Sequence, residues 1–192
     1  RALWQLLFSG KFDKFPGLKY CVVECGSWWV GDLLWKADVN FGASWKIKKM
    51  SSRMKGLLTK LPSEYFGDSV FIGASTMSRY EIRERHRNGI DALMWGTDYP
   101  HPEGSWPNTV HRLENDFQDV SIEDTRRLLG LNAIECYDLD VEGLTTVANR
   151  IGPTPEKLNQ DPALRTSPTA KRDARWWFDE YGIEWSGPEN GL

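Results

Sequence analysis

The chain has 192 residues, of which 40% are hydrophobic and 27% charged, a composition typical of a water-soluble globular protein large enough to bury a core. The net charge of −3 gives no reason to expect nucleic acid or an anionic membrane as a partner. No apolar run approaches the roughly 20 residues of a membrane helix. The three cysteines, Cys21, Cys25 and Cys136, are odd in number and have no repeating spacing, so we expect buried free thiols and a cytoplasmic location.

Three short apolar runs are predicted to be buried strands, at residues 18–24, 70–75 and 92–96. The spacing of apolar residues predicts a helix at residues 3–12, before the first run, and another at residues 29–37, after it. The alternation of strand and helix predicts an α/β fold with parallel strands joined by crossovers. Arg1 falls within a helical pattern, so we expect further chain upstream.

Further helices are predicted from charged segments and from residues that commonly cap a helix. Residues 46–60 are lysine-rich and are interpreted as a helix with a solvated face rather than a nucleic-acid patch. A charged helix is predicted for residues 79–88. Asn108, Ser121 and Asn132 are predicted to cap the helices that follow them.

The composition changes near Gly152. Residues 153–172 contain four prolines among polar residues and predict an extended arm, followed by an aromatic tail. On a helix over residues 169–181, Trp177 and Tyr181 would share a face. We therefore divide the chain into residues 1–152 and 153–192 and expect the arm to join a second copy in a homo-oligomer, the alternative being that it folds back over its own domain.

The strongest chemical motif covers residues 93–104, where an apolar strand runs into Asp98 and then into a turn with two prolines and a glycine. Residues just past the carboxyl end of a parallel strand face the ligand in α/β proteins. Asp98 can therefore bind a metal or accept a proton from metal-bound water, and His101 can hydrogen-bond the carboxylate or a substrate. From spacing alone, a turn-capping aspartate and a surface histidine remain equally open.

The run Gly-Thr-Asp-Tyr-Pro-His at residues 96–101 resembles the last-strand motif of the amidohydrolase-related family, which includes non-oxidative decarboxylases. Residues 12–24, 61–66 and 128–139 also resemble segments of that family. The resemblance covers residues 1–150 and implies the C-terminal half of an eight-stranded (β/α)8 TIM-type barrel, with strands six to eight. It implies a divalent metal, zinc in the first place, bound by Asp98 and by ligands upstream of this chain.

Two further residues are expected at the same end of the sheet. Glu24 stands where the family's decarboxylases have a catalytic histidine, and it is either an acid/base group or a carboxylate that shapes the pocket. Ser75 is expected to be a substrate-binding hydroxyl rather than a nucleophile. The resulting hypothesis is a metal-dependent hydrolase of a small organic molecule. The alternatives are a non-oxidative decarboxylase, or an inactive fragment or structural subunit.

Overall fold

The computed structural model describes residues 1–44 and 57–158. All of these residues belong to one compact unit, Arg1–Gln160. Most of the predicted lysine-rich helix at residues 46–60 lies outside the described residues. So do the aromatic tail and the greater part of the predicted arm, and the expectations for those segments remain predictions.

A parallel three-stranded sheet forms the centre of the described chain. Its strands are β1 (Tyr20–Val23), β2 (Val70–Ser75) and β3 (Leu93–Gly96), and β2 lies between the other two. The predicted strands and their parallel direction are confirmed. The strand predicted at residues 70–75 has the same bounds as β2. A strand buried on both faces is a continuous apolar run, which is easily recognised in a sequence.

Helices connect and flank the strands. The predicted helix at residues 3–12 is divided in two at Gly10, whose φ of 69° is left-handed, and the charged helix at 79–88 is regular only over its first part. The helices of the described chain are α1 (Ala2–Leu7), α2 (Lys11–Lys14), α3 (Val30–Ser44), α4 (Arg79–Arg83), α5 (Thr109–Phe117), α6 (Ile122–Arg126), α7 (Asn132–Tyr137), α8 (Val141–Ile151) and α9 (Pro155–Leu158), with short 3-10 segments at Pro62–Tyr65 and Ile90–Ala92 and a π turn at Arg127–Leu131.

The two faces of the sheet pack differently. Ile72 and Leu93 point to the face that α3, α4 and α5 cover, and they are fully buried with Val30, Ile82 and Phe117. Side chains alternate along a strand, so the neighbouring residues point to the opposite face. There, a smaller cluster of Phe71, Met94 and Cys136 is covered by α7.

The predicted caps have different outcomes. Ser121 caps α6, because its hydroxyl accepts a hydrogen bond from the Asp124 backbone N–H at 3.1 Å. Asn108 precedes α5 but its side chain makes no capping bond. The prediction for Asn132 is wrong: its amide donates to the carbonyls of Ile90 and Leu93, both at 2.7 Å, and is fully buried.

The chain beyond Gly152 begins differently from the predicted extended path. Pro155–Leu158 is a short helix, and Leu158 is buried against Leu113 and Phe117 of α5. The helix α8 before it, in contrast, has no buried residue. In the part of the chain that the structure describes, no helix combines the length and apolar character needed to cross a membrane.

Candidate metal site at the carboxyl end of the sheet

The carboxyl ends of the three strands meet at one edge of the sheet because the strands are parallel. Ser75 at the end of β2 pairs with Gly96 at the end of β3, and β1 is in parallel register beside them. A residue with left-handed backbone follows each strand: Glu24 with φ of 53°, Thr76 with 44° and Asp98 with 59°. Such conformations are uncommon outside glycine and are often found at functional sites.

Asp98, His101 and Glu103 form a cluster at this edge. The ligand atoms of the three side chains all lie within 4.8 Å of one another. His101 Nδ1 is 2.5 Å from Glu103 Oε2 and 3.9 Å from Asp98 Oδ2. The Asp98 side chain is 22% exposed, whereas those of His101 and Glu103 are more than half exposed, so solvent or a substrate can reach the cluster.

Backbone hydrogen bonds hold the loop that carries these side chains. The Ser105 N–H donates to the Thr97 carbonyl at 2.8 Å, and the His101 N–H donates to the Asp98 carbonyl at 2.8 Å. Gly104 is needed where the loop closes. A Cβ at this position would lie 2.8–2.9 Å from the carbonyl oxygens of Thr97, Asp98 and His101, closer than real side chains approach backbone.

The structure places the other predicted site residues on the same edge. Glu24 is exposed at the end of β1, and Ser75 is half-buried at the end of β2. The expected partner of His101 was Asp98 or a substrate, but its short contact is with Glu103. The roles assigned to Glu24, Ser75, Asp98 and His101 remain predictions.

A buried carboxylate, Glu81, links two of the loops at this edge. One of its oxygens accepts hydrogen bonds from the backbone N–H and hydroxyl of Ser27, in the loop after β1. The other accepts from the N–H and hydroxyl of Ser78, after β2, at 2.9 and 2.8 Å. Because Glu81 is only 7% exposed and spans both loops, it fixes their relative position.

Arg112 of α5, the helix that follows β3, also reaches the loop after β2. Its guanidinium donates to the Thr76 carbonyl at 3.3 Å and pairs with Asp116 at 3.3 Å. Both charged side chains are almost completely buried. The hydrogen bond of Arg112 therefore joins α5 to the loop after β2.

Sequence reasoning missed Glu103 and Glu81 for different reasons. Glu103 lies within the motif at residues 93–104. Its place two residues after His101 could have indicated that it joins the same cluster of polar side chains. The spacing of Ser78 and Glu81 is that of a capping box, and it does cap α4. The contact of Glu81 with Ser27, 54 residues away, has no local signal.

The donor set of the cluster fits a divalent cation. Zinc and related transition metals bind both carboxylate and imidazole groups, and the cluster offers two carboxylates and one imidazole. The ligand atoms of the three side chains are close enough together to surround one ion. Asp98, the least exposed of the three, is therefore the residue of the described chain that would hold the ion, and His101 and Glu103 lie beside it.

Residues 1–139 match the amidohydrolase family, and the chain belongs to that family. A solved structure similar to this one is the 5-carboxyvanillate decarboxylase LigW from Sphingomonas paucimobilis, with 24% sequence identity and a TM-score of 0.51. The similarity covers 71% of this chain but only 38% of that protein, so the likeness is one of fold over a part of its length. Among curated proteins, none matched the sequence.

Proposed function

We propose that this chain forms part of a metal-dependent hydrolase in which Asp98 binds a divalent cation, with zinc as the first candidate. The observation that supports the proposal is the convergence of Asp98, His101 and Glu103 at the carboxyl end of β3. Amidohydrolases are generally enzymes, and the family usually binds a divalent metal. The bound ion would supply an activated water for hydrolysis of a small organic substrate.

The side chains of this chain have distinct roles in the proposal. Asp98 is the metal ligand and, being only partly exposed, holds a fixed direction at the end of its strand. His101 can accept or donate a proton, and Glu103 orients its ring through the 2.5 Å contact. Glu24 acts as an acid/base group or shapes the pocket, and the Ser75 hydroxyl contacts the substrate.

The chain is expected to supply the last three strands of a (β/α)8 barrel, with the remaining metal ligands on strands that precede it. The family match supports a barrel. The similarity to the solved structure covers only 38% of that protein, which supports the proposal that this chain forms part of a barrel. On its own, a site of exposed groups around Asp98 should bind metal weakly, since catalytic zinc normally has three protein ligands in a defined geometry. A cytoplasmic location and a homo-oligomer joined through residues 153–192 belong to the same proposal.

The test compares Asp98→Asn with Asp138→Asn in the full-length protein. Asp138 is a matched control because it is an exposed aspartate with a similar left-handed φ of 53°, located at the end of α7. We expect Asp98→Asn to lower zinc affinity at least about tenfold and to abolish turnover, while circular dichroism remains unchanged. Asp138→Asn should retain both zinc and activity.

The substrate panel should separate hydrolysis from decarboxylation. It should contain amides, esters and lactones on one side and aromatic carboxylates, with 5-carboxyvanillate among them, on the other. Release of carbon dioxide without hydrolysis would favour the decarboxylase alternative. Unchanged zinc content and unchanged turnover in Asp98→Asn would remove Asp98 from the mechanism and reject the proposal.

A further inference from the structure

Two cysteines lie together on the face of the sheet that α7 covers. Cys21 is the second residue of β1, and Cys136 is near the end of α7. Both belong to the cluster that contains Phe71 and Met94. The fold therefore brings together two thiols that are far apart in the sequence.

The contacts around these thiols are specific. The Tyr137 hydroxyl donates to the Cys21 sulfur at 3.6 Å. The pKa of the Cys136 thiol is raised to about 11, first by burial and then by the adjacent Cys21 sulfur, which also forms a hydrogen bond with it. Lys19 binds the carbonyl of Glu135, so β1 and α7 are also joined beside the thiols.

The third cysteine points elsewhere. Cys25 packs against the core on the other face of the sheet, and its thiol donates to the Val22 carbonyl at 3.8 Å. Burial raises the pKa of this thiol, with smaller contributions from Cys21 and Glu81. Cys25 is therefore a poor partner for Cys21 and a useful internal control.

We propose that Cys21 and Cys136 are a modification site: small-molecule disulfides such as oxidised glutathione convert the two thiols into a reversible Cys21–Cys136 disulfide. Cys21 is the more accessible of the two thiols, and the Tyr137 hydroxyl donates a hydrogen bond to its sulfur. The Cys21 thiolate attacks the glutathione disulfide, whose S–S bond breaks, and one glutathione thiolate leaves. Cys136 then loses its proton and attacks the Cys21 sulfur, which expels the second glutathione.

The reaction balances without another reagent. Two protein thiols are oxidised and one glutathione disulfide is reduced to two thiols, which take up the two protons that Cys21 and Cys136 lose. The product ties α7 to the first strand and closes a long loop of chain, which restricts the unfolded state. We therefore expect the oxidised protein to unfold at a higher temperature than the reduced one.

The test treats the native protein with oxidised glutathione, blocks free thiols and maps the peptides by mass spectrometry. Digestion with trypsin and a glutamate-specific protease separates the cysteines, because cleavage after Glu24 divides Cys21 from Cys25 and cleavage after Glu135 releases Cys136. We expect a linked pair of peptides from Cys21 and Cys136, lighter than the two free thiol peptides by two hydrogen atoms. Reduction should restore the separate peptides.

Variants make the assignment independent of the digestion. Cys25→Ser should retain the crosslink, whereas Cys136→Ser should stop at a glutathione adduct on Cys21. A crosslink between Cys21 and Cys25 would overturn the proposal. So would an adduct on Cys21 of the native protein that does not proceed to the bridge with Cys136.

Discussion

The two ends of the sheet have opposite characters. At the amino end, Asn132 is fully buried beside the start of β3. At the carboxyl end, His101 is 59% exposed, and Glu24 and Asp98 adopt left-handed backbone conformations. The difference is that polar side chains remain accessible at the carboxyl end, which is where parallel strands usually carry a site.

The polar groups at the two ends show how this division arises. The Asn132 amide donates twice to backbone carbonyls beside β3, so its burial is compensated within the protein. The Asp98 carboxylate and the His101 ring contact each other only at 3.9 Å and remain accessible. Accessible groups such as Asp98 and His101 can still bond a metal or a substrate, and they contribute less to the stability of the fold than buried, bonded groups do.

The largest expected effect is at the amino end. In Asn132→Ala, the carbonyls of Ile90 and Leu93 lose their donor in a buried place, and we expect the free energy of unfolding to fall by about 3 kcal/mol. Urea denaturation measures it. Asn40→Ala is the control, because Asn40 is exposed and its amide donates to the Lys36 carbonyl within α3.

Zinc affinity of the folded fraction should be unchanged in Asn132→Ala. A loss of metal binding without a loss of stability would show that the two ends are not separable. Equal denaturation midpoints for Asn132→Ala and Asn40→Ala would show that the buried amide does not stabilise the fold.

A substitution at the carboxyl end should have the reverse profile. In Gly104→Ala, the new methyl group meets the carbonyl oxygens of Thr97, Asp98 and His101, so the loop must shift. We expect zinc affinity to fall about tenfold, as when groups that orient metal ligands are removed. Calorimetric titration with zinc measures the change.

Gly17→Ala is the control for this loop, since a Cβ at Gly17 would meet nothing within 4 Å. Because residues 99–103 of this loop are exposed and can shift, Gly104→Ala should change the denaturation midpoint much less than Asn132→Ala does. An unchanged zinc affinity in Gly104→Ala would mean that the loop geometry does not orient the ligands.

Local patterns were sufficient for the strands and for the position of Asp98 after β3. The strand β2 is a continuous apolar run, and Asp98 directly follows a second one, so both could be read from neighbouring residues. The cap at Ser121 is equally local, since its partner is three residues away. Parallel direction then followed from the alternation of strands and helices.

Contacts between distant segments explain the failures. Asn132 followed by Glu135 has the spacing of a helix cap, but its partners are Ile90 and Leu93, about forty residues earlier in the chain. The helix expected at residues 79–88 ends early, and the Asn88 side chain accepts a hydrogen bond from the Gly31 N–H at 3.2 Å. No single-sequence pattern specifies such partners, because tertiary packing decides them.

The smallest expected effect is on an ion pair that belongs to neither end. Asp124 of α6 lies 2.7 Å from Arg85 and 3.0 Å from His86, and its side chain is 15% exposed. Burial alone would raise the pKa of Asp124, but the hydrogen bond and charge of Arg85, the charge of His86 and the Ser121 hydrogen bond together lower it. The native pKa therefore lies below the unfolded one.

A depressed native pKa means that the carboxylate stabilises the fold above the unfolded pKa and that this contribution is lost as the pH falls through the native pKa. We expect Asp124→Asn to lower the free energy of unfolding by about 1 kcal/mol at neutral pH. The difference in unfolding free energy between Asp124→Asn and the unchanged protein should shrink as the pH falls below about 4.

Asp68→Asn is the control. It breaks the more exposed pair with Lys60 and should give no measurable change in the free energy of unfolding at any pH. Urea denaturation from pH 7 to pH 3 distinguishes the two, and a pH-independent loss in Asp124→Asn would mean that packing rather than charge stabilises this contact.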